Sequence, residues 1–518
     1  MSTDAAADTA ADTAADAAAD TANRCPLSWP EQRWNLMLFA VCTGTQYLAA
    51  PVLYVGITQA SLCDRLGADA KTGNLPGTLF FAMTAVPALI AWLSPKVSSL
   101  KRNLSLCYAT SALMLTALAI TLASSAPAPF KLAMIVLQGG VSGAVMPAAI
   151  ALLWEVIGRG SDESRRGLAL SLAFGAGPLL AVLGSFGQTA LLGGDLFGWH
   201  FDGFSYPDNF IILFAAGVPV MLLAAVFSQF FIIVPPQQEP AREPVSEVIG
   251  LLVGLPLMFA SVALMHFSSA NADSAIQAFS TSTRSLLQIC GGLCACGAAL
   301  GFVYHFRSIL KQRILLLATI VTILIYAGNV IPSNMNLYSE QVLGNIPEKY
   351  AGVQNMLRFG FKVIAGSLLG WLLTRTNPRA GLLATSSIFL VAQIWAIFVT
   401  GPWYLVAFGI HGAGELVGVY APNYILSASR RDQMRRNMAF MTMLMVPAAP
   451  AGYLYGALVD KAKEAGWTVL GMNSTAFGFR LSFTVCATLI LSGIVMALIF
   501  LPARPQVESA SASKTGSE

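Results

Sequence analysis

Charge is what this sequence has least of. Asp, Glu, Lys and Arg together supply 11% of its 518 residues, whereas 56% are hydrophobic, and the mean hydropathy is +0.66. A chain so poor in charge cannot have water as its main solvent, so an ordinary soluble domain is excluded. Histidine is scarce too: four in all, at positions 200, 266, 305 and 411, on separate elements. With no nucleophile and base grouped around them, an enzyme is not expected. The eight cysteines are scattered, and the one close group, Cys290, Cys294 and Cys296, has no His or carboxylate beside it. No metal or other cofactor is expected there, and the thiols read as facing lipid or core. The sequence has no G-x-x-x-x-G-K-[ST] loop, so direct drive by ATP is not expected. Its small net charge of +4 is spread over short loops rather than gathered into a patch that could track phosphates, which argues against nucleic acid as a partner.

The chain start lacks the basic residues and apolar core of a signal peptide. It carries instead an Ala/Asp/Thr tract with Asp4, Asp8, Asp12, Asp16 and Asp20, and residues 1–33 are expected to form a disordered acidic tail. The Ser/Ala-rich segment 503–518 is expected to be disordered as well.

Apolar runs are what the sequence has in abundance. Segments of about 20 residues, enough to cross a hydrocarbon core as a helix, recur along nearly the whole chain. Breaks at polar, Pro or Gly clusters place spans near 34–59, 76–95, 104–124, 130–157, 167–190, 209–234, 246–268, 286–306, 313–338, 352–374, 380–400, 403–428, 437–459 and 478–502. These fourteen spans predict an all-α, multi-pass protein of the lipid bilayer. With both termini on the cytoplasmic side of the cell membrane, the inner segments hold twenty Lys and Arg and the outer segments eight, the asymmetry that orients membrane proteins.

The chain also repeats itself. Asp162-Glu163-Ser164-Arg165-Arg166 after the fourth span and Asp432-Gln433-Met434-Arg435-Arg436 after its later counterpart both read Asp-x-x-Arg-Arg, and each leads into an apolar helix with a proline near its middle, Pro178 or Pro450. Matching loop, position and topology indicate a duplicated six-helix unit. The expected organisation is one bundle over 34–234, a linker with an inserted helix pair over 235–312, and a second bundle over 313–502.

With these features the sequence resembles the major facilitator superfamily, in the version with two extra helices between two pseudo-symmetric halves. Gly370-Trp371-Leu372-Leu373-Thr374-Arg375-Thr376-Asn377-Pro378-Arg379 is similar to the family's cytoplasmic G-x-L-x-D-R-x-G-R loop, with Thr374 for the acid and Asn377 for the second glycine. The first half keeps only the charge of that loop, in Lys96, Lys101 and Arg102. Gly175-Ala176-Gly177-Pro178 resembles the glycine–proline stretch of the family's antiporters, but Ala181-Val182 stand where a glycine pair follows. The peptide-transporter branch carries E-x-x-E-R in its first helix, and Thr43-Gly44-Thr45-Gln46-Tyr47 offers no acid, which argues against peptides as cargo. The resemblance implies alternating access, with Gly370, Arg375, Arg379, Asp162, Arg166, Asp432, Arg436, Gly177 and Pro178 at conformational positions. The glycine at 370 is expected to allow close packing while the arginines pair across the bundle interface.

Ionisable residues within a span are costly and mark functional interiors. Arg358 and Lys362 lie at i and i+4 on the second helix of the second half, on one face with Gln354, Gly366 and Gly370. Two cations on one stripe need an anion between them. They either grip an anionic group of a solute, pair with Glu415, or extend to the outer surface. Glu415 is the candidate proton-coupling group, with His411 as a relay, or else a static partner of those cations. Gln46, Tyr47, Tyr54, Gln138, Tyr326, Asn329, Asn334 and Asn336 are candidates to line a central cavity or to serve as packing contacts. Glu155 and Arg159 are read as a structural pair. The expected function is secondary transport of a small anionic or zwitterionic organic solute by a monomer coupled to protons. The alternatives are a proton-driven exporter of lipophilic compounds and a non-transporting membrane sensor.

Overall fold

The computed structural model describes residues 26–162, 172–196, 199–234, 239, 242, 244–268, 281–428, 440, 443–469 and 471–505. Most of both expected tails, and Arg166, Asp432 and Arg436 of the repeated loop, lie outside the described residues. The helices follow in chain order. The first six are α1 (Trp29–Leu48, continued by Ala50–Leu53 and Ile57–Arg65), α2 (Ala70–Leu93), α3 (Val97–Ala123), α4 (Ala128–Gly160), α5 (Gly177–Leu192) and α6 (Asp208–Phe230). Then come α7 (Val245–Ser268) and α8 (Thr281–Leu310). The last six are α9 (Arg313–Leu343), α10 (Glu348–Arg375), α11 (Pro378–Phe398), α12 (Gly401–Ile425), α13 (Pro450–Glu464) and α14 (Ser474–Phe500). A two-residue hairpin pairs Asp195–Leu196 with Trp199–His200 after α5.

Among the described residues, ten of these segments are long and apolar enough to cross a membrane. Helix α1 is interrupted before Gly56, whose φ of 150° only glycine adopts readily. Helix α10 carries Glu348, Lys349, Arg358, Lys362 and Arg375, and α13 ends on Asp460, Lys461, Lys463 and Glu464. A π-helical turn, Leu172–Ala176, leads directly into α5, so helical backbone runs through Pro178, and Ala449 before Pro450 is helical as well.

The first and last six segments meet along a seam. Helix α5 packs on α10, α2 on α13, and the outer piece of α1 on α9. The first two contacts are the same pairing with the halves exchanged, fifth helix of one on second helix of the other. Helices α7 and α8 pack against each other through small residues: a Cβ on Gly301 would lie 2.7 Å from the Gly250 carbonyl oxygen. Leu286, Ile289, Leu293, Leu300 and Val303 of α8 remain exposed, an apolar surface suited to lipid. Cys290 and Cys294 are half-buried and Cys296 is exposed on that helix.

Candidate functional site

The seam closes on the side away from the two chain ends, here called outer. Among the described residues, the following seven polar contacts cross it. Arg65 reaches Glu348 at 3.4 Å. Ser61 donates to Asn336 at 2.9 Å, Asn74 to Asn334 at 2.5 Å, Asn355 to Gln188 at 3.0 Å and Ser333 to the Gly56 carbonyl at 3.4 Å. The last two come from one side chain, because Asp460 accepts from the amides of Ala70 at 3.0 Å and Lys71 at 2.9 Å. The carboxylate of one half thus caps the first turn of α2 in the other, where unpaired N–H groups and the helix dipole favour an anion. Gly456 makes this approach possible, since a Cβ there would stand 2.5 Å from Lys71 Cα. Above the seam lies a cavity of about 390 Å³ lined by Arg65, His200, Tyr206, Glu348 and Lys349 among others.

Deeper in the protein, α10 and α12 build a charge cluster. Arg358 lies ten residues into the 28-residue helix α10, about 15 Å from its outer end at helical rise. Its side chain is 7% exposed, so it does not extend to the outer surface. Its Nε donates to Glu415 Oε1 at 2.8 Å, and its Nη2 contacts the same oxygen. Lys362 Nζ donates to Glu415 Oε2 at 2.6 Å. His411 Nε2 stands 3.5 Å from Glu415 Oε1, and its ring lies against Phe389 with centroids 4.9 Å apart.

Backbone contact sets this geometry. A Cβ on Gly412 would overlap the Arg358 carbonyl, and one on Gly409 would sit 2.7 Å from the Phe361 ring, so α12 runs directly on α10. Glu415 occupies the break between Val406–Gly414 and Val417–Ser427, which points its carboxylate between the two cations. Among the described residues Glu415 is the only carboxylate paired with Arg358 and Lys362, leaving two cations on one anion. Arg358 Nη1 is buried without a partner among the described residues.

The first half contributes aromatic rings to this place. Tyr47 and Tyr54 stack with centroids 6.1 Å apart, and Phe359 of α10 stands edge-on to both, at 6.5 and 6.1 Å. Arg358 and Lys362 lie 5.6 and 5.2 Å from the Phe359 ring centre. A Cβ on Gly177 would overlap the Tyr47 ring, so the glycine before Pro178 makes room for an aromatic wall.

Of the residues singled out in the sequence, Arg358, Lys362, Glu415, His411, Tyr47 and Tyr54 therefore meet. Others are engaged elsewhere. Gln46 donates to Tyr108 at 2.5 Å, and Gln138 bonds the Val52 carbonyl at 2.9 Å and Ser142, both inside the first half. Asn329 contacts Met445 Sδ at 3.5 Å and Tyr326 is buried within the second half. Asn334 and Asn336 belong to the outer seam. Among the described residues, the glycine at 370 meets nothing within 4 Å. Arg379 does not cross the bundle interface, because it donates to the Leu501 carbonyl at 2.7 Å and caps α14 of its own half. The amide of Asp162 donates to Gln32 at 3.1 Å, and Glu155 pairs with Arg159 at 2.9 Å. Arg375 is exposed at the end of α10.

Sequence inspection missed Phe359 and Asp460. Phe359 is one of 29 phenylalanines and carries no signal of its own. Gly412, one of the small residues beside Glu415 in His411-Gly412-Ala413-Gly414-Glu415, does permit the close helix approach its size suggests.

The two helical halves close over a buried ionic cluster, in a bundle most of whose helices are long and apolar enough to cross a membrane. Neither a protein-family model nor a curated protein matches the sequence. Solved structures do match in fold. The nucleoside transporter NupG superposes with a TM-score of 0.56 at 11% identity, over 89% of this chain and 98% of that one. A POT family transporter in complex with 5-aminolevulinic acid gives 0.58 at 14%, over 90% and 95%. The peptide transporter POT in complex with sulfate gives 0.57 at 14%, over 92% and 96%.

Proposed function

We propose that this protein is a secondary active transporter that carries a small anionic organic solute across the cell membrane by alternating access, coupled to protons. It acts as a monomer, with all fourteen helices crossing the bilayer and both termini cytoplasmic. The observation that carries this reading is the buried two-to-one ratio of cations to carboxylate at Arg358, Lys362 and Glu415. With Glu415 ionised the cluster holds one net positive charge, and a monoanionic solute brings it to zero. With Glu415 protonated, by way of His411, both cations are released for the solute. Solute and ionised Glu415 thus compete for the same donors, which links a proton to the cargo. The fold shared with nucleoside and peptide transporters supports the carrier reading. A site with excess positive charge disfavours lipophilic cations, the usual concern of a drug exporter.

The first test is thermal stabilisation of the purified protein by anionic, zwitterionic, cationic and lipophilic solutes, run beside Arg358→Gln and Lys362→Gln. A ligand held by the folded state alone stabilises by RT ln(1+[L]/Kd), about 2.7 kcal/mol at a hundredfold excess. Anions are expected to stabilise the wild type and neither variant, and uptake into liposomes is expected to follow an imposed proton gradient. Equal stabilisation of all three proteins by lipophilic cations would overturn the reading.

A further inference from the structure

The charge cluster and the rings beside it recognise different parts of a ligand. The charged groups all lie on α10 and α12, while Tyr47 and Tyr54 come from α1 across the seam. The cluster needs one negative charge: two cations and one carboxylate leave one positive, and the orphaned Arg358 Nη1 is a buried donor awaiting an acceptor. With Glu415 ionised, a second negative charge would leave the buried site unbalanced. The rings meet the cluster at Phe359, which touches Arg358, Lys362, Tyr47 and Tyr54 at once.

The rings form a corner. Tyr47 and Tyr54 lie at 27° to one another, and Phe359 stands at 89° and 64° to them. A flat π-system can stack on one wall of such a corner and present its edge to the other, the two arrangements that aromatic rings prefer. Both tyrosines are half-buried, and neither phenol oxygen has a hydrogen-bond partner among the described residues. Each therefore offers a polar group beside its apolar ring. Gly177 reinforces the reading, because any larger residue there would displace Tyr47.

Building on the anion-carrier reading, we propose that the cargo is a flat, unsaturated ring bearing a single carboxylate, its carboxylate on Arg358 and Lys362 and its ring in the Tyr47–Tyr54–Phe359 corner. Saturated rings of the same size and charge lack the π-face.

The test compares benzoate and indole-3-acetate with cyclohexanecarboxylate as stabilisers of the purified full-length protein, followed by uptake of labelled benzoate. The aromatic acids are expected to bind about tenfold tighter than the saturated one, the worth of a well-placed ring contact. Tyr47→Leu, Tyr54→Leu and Phe359→Leu should bring that ratio toward one. Tyr47→Phe, which keeps the ring, should preserve it, and Arg358→Gln should remove binding of all three acids. Equal binding of benzoate and cyclohexanecarboxylate by the wild type overturns ring recognition and leaves the anion site standing. A preference for benzoate that none of the leucine variants changes overturns the placement of the ring. If no anion of any class binds, the anion-carrier reading has failed and this proposal with it.

Discussion

The outer seam and the central cluster are both polar and both buried between helices, but they are built in opposite ways. Across the seam most contacts are neutral and matched one to one: serine with asparagine, asparagine with asparagine, asparagine with glutamine. Such bonds contribute about 0.5–1.5 kcal/mol each and exchange readily for water. The cluster is charged, mismatched and confined to α10 and α12, so it moves as one body with its half. What distinguishes a surface that must open from a site that must hold is therefore not polarity. It is whether the partners lie in different halves and whether their charges are balanced.

The sharpest way to break this contrast is at Glu415. Glu415→Gln leaves Arg358 and Lys362 buried without their anion, at a cost of about 3–5 kcal/mol, and it removes the proposed proton switch. Thermal unfolding in detergent should show a large loss of stability, and residual uptake should no longer follow the proton gradient. A variant of native stability with intact coupling would remove Glu415 from the mechanism.

Gly456→Val tests the seam instead. With Cβ only 2.5 Å from Lys71 Cα, the side chain should prop the outer ends apart and leave the cluster alone. Cysteines placed at the seam, for example Ser61→Cys, should label much faster from outside in the valine variant, while anion binding persists. Unchanged labelling would show that α2 and α13 do not form the gate.

A smaller effect is expected from Asp460→Asn, which weakens the cap on α2 without adding bulk. Loss of a charged helix cap costs about 1 kcal/mol, so outer labelling should rise about fivefold.

The smallest effect is that of pH. Burial pushes the carboxyl of Asp64 up to about 6, with Glu340 adding to the rise and Arg65 opposing it. Asp64 lies just beyond the predicted span 34–59, in an outer segment, and opening the seam would return it toward the ordinary 3.8. The closed form thus binds a proton more tightly than the open one. Acidification should favour closure as the outside pH falls through about 6, and the gain should level off near the ordinary value. Labelling of an outer cysteine should slow between pH 7 and pH 5, and Asp64→Asn should lose that slope. Labelling that quickens on acidification would reverse the sign of the linkage.

Much of this architecture was legible in the sequence because lipid imposes it. A helix that faces hydrocarbon must be apolar along its length, so α3, α6 and α14 announce themselves by composition alone. Arg358, Lys362, Glu415 and His411 were legible for the complementary reason, as ionisable groups where few are tolerated. The neutral residues were not. Gln46, Gln138, Asn329 and Asn334 look alike in a list of polar residues within apolar runs, yet two complete the packing of the first half, one that of the second, and one fastens the seam. A neutral side chain costs little wherever it finds a single partner, so its type carries no address.

What the sequence determined by itself was a membrane bundle of two like halves with a few charges sunk in the second. The tertiary structure decided that both cations share one carboxylate, because that depends on Gly412 letting α12 rest on the backbone of α10. It also decided that Tyr47 and Tyr54 stand beside them and that Asp460 caps a helix nearly four hundred residues away in the chain. Periodicity records which face of a helix is buried. Only packing at the contact distance of a missing Cβ fixes which residues on those faces touch.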